Sequence, residues 1–224
     1  MKTRSNSSFY LVLHGIILVL VVLGFGLNAI QNSDSLPPAS PIIWIHGIAM
    51  FGWYLLIVIQ SLLIQKHQFK IHRILGWGSL FLALGIIISG IWMTKEHYYR
   101  PNSLLFATIN TFILINFSLL YSAAFLYRNK PEYHKRLISL ASIAAMFPGL
   151  GRVILGLQWN EYLSVPLWIL FAMVPAAYDW YRSKKIHPAS WIGGSMITIG
   201  IGLTLFLMEN KPWKNLMDSF LSNW

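Results

Sequence analysis

The sequence predicts an all-α fold, a polytopic bundle of transmembrane helices, and three observations support this prediction. Of the 224 residues, 56% are hydrophobic and only 11% are charged, whereas a soluble domain carries roughly a quarter charged residues. The apolar stretches are about 20 residues long, which is the length a helix needs to cross the hydrocarbon core of a bilayer. The connections between them are short, which favours antiparallel packing of neighbouring helices.

Seven apolar stretches predict seven spans within one domain, residues 1–208. The predicted spans cover residues 9–30, 41–64, 74–93, 103–127, 137–157, 163–181 and 189–208. The first stretch is too long for the apolar region of a signal peptide, so we expect it to be retained as a helix. Residues 209–224 carry an apolar side chain every three or four positions, which predicts an amphipathic helix in the outer membrane interface. Its apolar stripe comprises Trp213, Leu216, Met217, Phe220, Leu221 and Trp224.

Basic residues predict the orientation of the chain, which has a net charge of +10. If the N-terminus is cytoplasmic, the inner segments hold Lys2, Arg4, Lys66, Lys70, Arg73, Arg128, Lys130, Lys135, Arg136, Arg182, Lys184 and Lys185. The outer segments then hold only Lys95, Arg100, Lys211 and Lys214. Since Lys and Arg accumulate in cytoplasmic loops, a cytoplasmic N-terminus is predicted. The same distribution favours anionic membrane lipids over nucleic acid as the electrostatic partner.

Several chemistries are excluded by what the sequence lacks. The chain has no cysteine, which excludes disulfides, iron–sulfur clusters, thiolate metal sites and covalently attached haem. It has no H-E-x-x-H motif, no histidine-box series and no P-loop. Only one acidic residue, Asp179, lies inside a predicted span, so a proton relay of carboxylates is poorly supported. We expect Asp179 to pair with Arg182, Lys184 or a nearby histidine.

Two histidines are predicted to be ligands of one metal. His72 and His134 each follow a basic loop and stand at the inner start of an apolar stretch, so they lie at the same membrane depth. Equal depth on two helices is what a bis-histidine haem or a shared metal ion requires, and imidazole is the usual nitrogen ligand. The alternative is that both are interfacial side chains beside Lys and Arg residues that extend to the headgroups. His46 is predicted near the opposite face, so it cannot bridge one haem with His72.

A second polar cluster is predicted near the outer face. His46, Asn110 and Arg152 lie at similar outer depth, and a buried arginine needs an anion or carbonyl groups as partner. A haem propionate, a lipid phosphate or a quinone oxygen would each serve. Pro148 and Gly149 precede Arg152 and are expected to kink the helix. In the structural alternative, Arg152 satisfies only the carbonyls that this kink frees.

The segments IHGIAMFGWYLLIVIQSLLIQKHQFKIHRILG and YHKRLISLASIAAMFPGLGR resemble an uncharacterised group of bacterial polytopic membrane proteins. That group shares a histidine in a span, a downstream glutamine, an H-R-x-x-G element, and an H-K-R-L-M-x-L-A segment leading to P-x-x-x-R. The matching positions are His46, Gln60, His72, Arg73, Gly76, His134, Lys135, Arg136, Leu137, Pro148 and Arg152, and Ile138 replaces the methionine. The resemblance implies a multi-pass protein of the bacterial inner (cytoplasmic) membrane. The H-R-x-x-G element is also similar to b-type haem bundles and to proteins that assist oxidase maturation.

The leading hypothesis is therefore a membrane protein that binds a b-type haem or a metal through His72 and His134, or through His46 with one of them. Arg152 would neutralise a propionate. The role would be electron transfer or oxidase assembly, with a respiratory complex or quinone as partner. One alternative is a lipid- or small-molecule-binding protein without a redox cofactor, which would use His46, Asn110 and Arg152. A structural assembly partner is the other.

Overall fold

The computed structural model describes residues 2–34, 40–98 and 103–222, and within them the chain is a bundle of α-helices without strands. The helices are α1 (Lys2–Gln31), α2 (Pro41–Gln65), α3 (Phe69–Tyr98), α4 (Ser103–Leu126), α5 (Pro131–Ala145), α6 (Phe147–Gly156), α7 (Ser164–Ser183), α8 (Pro188–Leu207) and α9 (Lys211–Ser222). A single 3₁₀ turn, Glu161–Leu163, precedes α7. Arg100 and Trp224, which entered the predictions of orientation and of the terminal stripe, lie outside the described residues.

The predicted all-α membrane fold is confirmed. Among the described residues, six helices are long and apolar enough to cross a membrane, and α5 with α6 makes a seventh span if the bent pair crosses as one. Helices suit this composition because a hydrocarbon environment offers no water to backbone groups, so every span must bond its own N–H and C=O groups. Pro41, Pro131 and Pro188 stand in the first turns of α2, α5 and α8, where a missing N–H costs nothing.

Helix α5 is the centre of the bundle. Nine of its residues are buried, and it contacts α1, α4, α7 and α8. Around it, α1 packs on α2 and α6, and α3 packs between α2 and α4. We call the end of the bundle that carries loops 66–68, 127–130 and 184–187 the inner end. Helix α5 begins at this end, and its first turn carries His134.

The fifth span is broken where the sequence predicted a kink. Helices α5 and α6 meet at 48°, and the break falls at Met146, two residues before Pro148. The carbonyl groups near the break find other donors: the indole Nε1 of Trp168 donates to Ile143 O at 2.8 Å, and the hydroxyl of Tyr54 donates to Ser142 O at 3.4 Å. Side chains of neighbouring helices therefore satisfy backbone carbonyl groups that the break leaves without a helical donor.

The tight packing of α6 on α1 requires glycine. A Cβ atom on Gly24 would collide with the carbonyl oxygen of Gly149, and one on Gly149 would lie 3.0 Å from the Cα of Val21. The two backbones approach this closely because neither residue has a side chain, a common device between membrane helices. This contact draws α6 and its Arg152 toward α1.

Helix α9 is the predicted terminal amphipathic helix, and it is attached to the outer ends of α3 and α4. The hydroxyl of Tyr98 donates to Asp218 Oδ1 at 2.7 Å, and Trp213 Nε1 donates to Thr108 Oγ1 at 2.8 Å. Part of the predicted stripe, including Met217, is buried on the bundle, whereas Leu216 is exposed. Helix α9 thus packs on the bundle as well as presenting an apolar face outward.

Candidate functional site

A cavity of about 610 Å³ opens at the inner end of the bundle, between α1, α2, α3, α4 and α5. We call it the inner cavity. Most of its wall is apolar or aromatic, and the polar side chains that reach it include Tyr10, His14, Gln60, Ser61, His72 and His134. An apolar cavity with a few converging polar groups is the usual form of a small-molecule site.

The two histidines predicted at equal depth are neighbours in this cavity. His72 stands in the first turn of α3 and His134 in the first turn of α5. Their ring centroids are 6.3 Å apart and the ring planes are nearly perpendicular, at 87°. Two imidazoles on opposite sides of one metal have centroids roughly 6 Å apart, because a metal–nitrogen bond is about 2 Å long. The observed centroid separation equals that distance, and it is also the separation of two rings in edge-to-face contact.

A backbone carbonyl orients the ring of His134. Its Nδ1 lies 2.8 Å from the carbonyl oxygen of Ala124 on α4. Since a carbonyl oxygen only accepts, Nδ1 must carry a proton, and in the neutral ring Nε2 then has a free lone pair. Histidines that bind metals are commonly held by such a hydrogen bond from the other ring nitrogen.

Three buried polar atoms on the cavity wall have no hydrogen-bond partner among the described residues. They are His72 Nδ1, Gln60 Oε1 and the hydroxyl of Tyr10. The other end of the Gln60 amide donates to the carbonyl oxygen of His72 at 3.2 Å, so this side chain is held in place. An unpaired buried polar group costs about 1–3 kcal/mol. All three belong to side chains that line the cavity, so unmet hydrogen-bonding capacity gathers at this end of the bundle.

The third imidazole on the cavity wall, that of His14, uses both of its ring nitrogens in hydrogen bonds within the bundle. Its Nδ1 and Nε2 each lie 2.8 Å from a serine hydroxyl, of Ser61 and Ser139 respectively. Ser139 uses its own proton on the carbonyl oxygen of Lys135. Nε2 of His14 must therefore donate to Ser139, and Nδ1 accepts from Ser61. His14 joins α1, α2 and α5 and has no nitrogen left for a ligand.

Aromatic rings form a wall of the inner cavity. Trp53 meets Tyr121 edge to face at 5.4 Å, and Trp77 meets Phe125 in the same way at 5.1 Å. Phe117 stacks on Tyr121 from behind, with ring centroids 6.0 Å apart. The Tyr121 hydroxyl is held by Ser79 at 2.8 Å. These edge-to-face and stacked contacts pack α2, α3 and α4 against one another on this side of the cavity.

The mouth of the cavity is basic. Arg73, Arg128 and Lys135 line it. The guanidinium of Arg128 lies over the rings of Trp77 and Phe125, at 5.4 and 4.8 Å. Lys135 is neutralised by Glu132 at 2.6 Å. Two arginines without a carboxylate partner in the described residues leave a net positive charge where a ligand would enter.

The prediction for Asp179 was wrong: this carboxylate pairs with Arg136 and not with Arg182, Lys184 or a histidine. Arg136 Nε lies 3.1 Å from both of its oxygens, and the terminal nitrogen Nη2 also donates to it. Asp179 further accepts from the Ser190 hydroxyl at 2.6 Å and from the backbone N–H of His187 at 3.2 Å. Sequence reasoning missed this pair because 43 residues separate its members.

The outer polar residues are satisfied by neighbouring groups. Ser89 donates to the carbonyl oxygen of Gly85, so His46 Nδ1, 2.9 Å away, must donate to Ser89. The Asn110 amide donates to Gly90 O at 3.0 Å and also contacts Thr94. His46 and Asn110 thus meet on the same stretch of α3. We call these residues, with Ser89, Gly90 and Thr94, the outer cluster.

Arg152 does not join the outer cluster. Its Nη1 donates to the carbonyl oxygen of Pro148 at 2.9 Å, and its guanidinium lies over the ring of Phe25 on α1, 4.4 Å from the centroid. The predicted three-residue cluster is therefore wrong for Arg152, because the close contact of α6 with α1 carries it away from α3. Its partner is a carbonyl oxygen in the first turn of its own helix, four residues earlier, and not one of the carbonyls that the break frees.

The residues that sequence reasoning missed are Tyr10, Ser61 and Ser139. Nothing in the sequence around Ser61 or Ser139 sets these serines apart from others in the spans. Only the structure shows that both contact His14. Tyr10 lies near the inner interface, where tyrosine is common. No pattern in the sequence separates it from an interfacial aromatic residue.

Within the described part of the chain, no group of three or more His, Cys, Asp or Glu side chains is placed to hold one metal ion. The inner cavity offers two imidazoles, whereas a bare zinc ion usually takes four protein ligands or three and a water. A haem would need only two protein ligands, because its other four ligands belong to the porphyrin. No family model, curated protein or solved structure matches this chain.

Proposed function

We propose that this protein binds a b-type haem in the inner cavity, with His72 and His134 as the axial ligands. The observation that carries the proposal is the pair of imidazoles with ring centroids 6.3 Å apart on the wall of one cavity. When bound, the haem would supply one-electron chemistry in the membrane. An electron-transfer or oxidase-assembly role, with a respiratory complex or quinone as partner, is the corresponding cellular function.

Other features of the cavity support a porphyrin. Its volume of about 610 Å³ falls within the usual range for cofactor sites, roughly 300–1,000 Å³. The edge-to-face wall of Trp53 and Tyr121 suits a planar conjugated ring, and the unpaired Arg73 and Arg128 suit carboxylates at the mouth. Basic loops at this end favour a cytoplasmic position in a bacterial inner membrane.

The test is the visible spectrum of the detergent-purified protein after titration with haem, oxidised and then reduced. Saturation at one haem per chain, with the sharp bands of a six-coordinate low-spin iron, is expected for two imidazole ligands. A protein that is folded and monodisperse but takes up no haem would overturn the proposal. A high-spin spectrum would show that only one imidazole binds.

A second candidate is a membrane protein that binds a lipid-soluble molecule with hydroxyl or carbonyl groups, without a redox cofactor. The observation that favours it is the pair of unpartnered atoms Gln60 Oε1 and Tyr10 hydroxyl. The first atom needs a donor and the second can supply one, whereas a haem ring edge offers neither. Native mass spectrometry of the protein in mild detergent tests this candidate. A bound quinone or lipid that is lost in the Gln60→Leu variant supports it, and retention in that variant contradicts it.

A further inference from the structure

We propose that the Arg136–Asp179 ion pair is a positioning pair that sets the orientation of His134 toward the inner cavity. This inference rests on the proposed function, since it concerns how the second axial ligand is held. Neither Arg136 nor Asp179 lines the cavity. The pair acts through the helix that carries His134.

The pair holds α5 on a different face from the one that carries His134. His134 and Arg136 are two positions apart, which places them about 200° apart around a helix of 3.6 residues per turn. His134 faces α3 and α4, through His72 and Ala124. Arg136 faces Asp179 on α7 and, through that carboxylate, Ser190 on α8. The first turn of α5 is therefore held on both sides, and its rotation is determined.

The pair is buried and its hydrogen bonds are fully used. Arg136 is 8% exposed and Asp179 is 3% exposed. Besides Asp179, Arg136 donates from Nη1 to both the backbone and the carboxylate of Glu132, at 2.7 and 2.6 Å. With four different donor groups on Asp179, the carboxylate can move only if α5, α7 and α8 move together.

Stability alone does not explain a pair of this kind. Buried ion pairs are often replaced by apolar residues of similar size without loss of stability, because the desolvation of both charges offsets their attraction. Apolar side chains can replace the stability of such a pair, but they make no directional hydrogen bonds and so do not fix the orientation of the helices. The double variant Arg136→Met/Asp179→Leu therefore removes the directional hydrogen bonds on α5 while keeping the net charge.

The experiment compares haem affinity, spectrum and midpoint potential in three proteins. They are the unaltered chain, the double variant, and Arg152→Met, a control that removes a half-buried arginine away from the cavity. We expect the double variant to bind haem about 10–100-fold more weakly, as for other groups that orient a metal ligand, with an increased high-spin fraction. The control should match the unaltered chain. Unchanged affinity and spectrum in the double variant would overturn the inference. Should the double variant not fold, Asp179→Asn, which keeps the shape, replaces it under the same expectation.

A measurement without haem separates this inference from the proposed function. The chain has no cysteine, so spin labels can be attached at Lys70→Cys, before His72, and at Lys130→Cys, before His134. The distance distribution between the labels should broaden when Arg136 and Asp179 are replaced and not in the Arg152→Met background. If the unaltered chain takes up no haem but the distribution broadens, the proposed function fails and the positioning of α5 stands. If the distribution is unchanged, the inference fails whatever the haem result.

Discussion

The inner cavity and the outer cluster are both groups of polar side chains within the same membrane bundle, and they differ in one respect. In the outer cluster, His46 and Asn110 are bonded to groups on α3. In the inner cavity, His72 Nδ1 and Gln60 Oε1 are buried without a partner among the described residues. Polar residues in a membrane protein are either part of the fold or part of a site. The comparison teaches that unsatisfied hydrogen-bonding capacity beside a cavity is what distinguishes the second kind.

The strongest test of this comparison removes one imidazole from each region. His134→Ala should lower haem affinity by at least about 100-fold, because outer-shell changes alone cost 10–100-fold and this change removes a ligand. His46→Ala should leave the affinity unchanged. Spectral titration of both variants measures the effect. A loss of haem in His46→Ala that equals the loss in His134→Ala would mean that the outer cluster belongs to the site.

A second test concerns the satisfied hydrogen bonds of the outer cluster. Ser89→Ala leaves the Nδ1 proton of His46 without its acceptor, and a buried unpaired donor costs about 1–3 kcal/mol. The free energy of unfolding in mixed micelles should fall by that amount, with haem binding unchanged. A variant as stable as the unaltered chain would show that lipid or water replaces the serine hydroxyl. The hydrogen bonds of the outer cluster would then not be what distinguishes it from the inner cavity.

Two tyrosine-to-phenylalanine variants, one in each kind of environment, are expected to change stability by smaller amounts. Tyr10→Phe removes a buried hydroxyl that has no partner, so the stability of the cofactor-free protein should stay the same or rise. Tyr54→Phe removes a hydroxyl that donates to Ser142 O at the break between α5 and α6, so stability should fall by about 1 kcal/mol. Thermal unfolding of both variants without haem measures the difference. Equal losses would indicate that Tyr10 has a partner after all.

The smallest expected effect is a pH dependence at the inner end. Burial, with the nearby charge of Arg136, lowers the pKa of the His187 imidazole in the folded protein. His187 Nδ1 accepts the N–H of Ala189 at the start of α8, and a protonated ring cannot accept. A folded pKa below the unfolded value means that this contribution is complete at higher pH and is lost as pH falls below about 6.5.

The control for this effect is His187→Asn, because asparagine also caps a helix but does not titrate. Thermal unfolding between pH 8 and pH 5, followed by tryptophan fluorescence, should show a smaller loss of stability in the variant than in the unaltered chain. Identical pH profiles would contradict the assignment of the effect to His187.

Much of the fold followed from hydropathy because each span is a local feature. The kink before Arg152 was predictable for the same reason, since Pro148 lacks an N–H wherever its helix packs. The equal depth of His72 and His134 also followed, because each stands directly after an inner loop. Depth, however, does not specify which way a side chain faces. The 6.3 Å between the two ring centroids therefore depends on how α3 and α5 are arranged and rotated in the bundle.

Hydropathy alone was enough to predict the helical class of the protein and its number of apolar stretches, because both depend on runs of about 20 residues. The tertiary structure decided which residues at one depth meet. Asp179 pairs with Arg136 because α5 is central and contacts α7. Arg152 lies away from His46 because Gly24 and Gly149 let α6 pack closely on α1. Those contacts depend on the packing of side chains between helices distant in sequence, which no local pattern records.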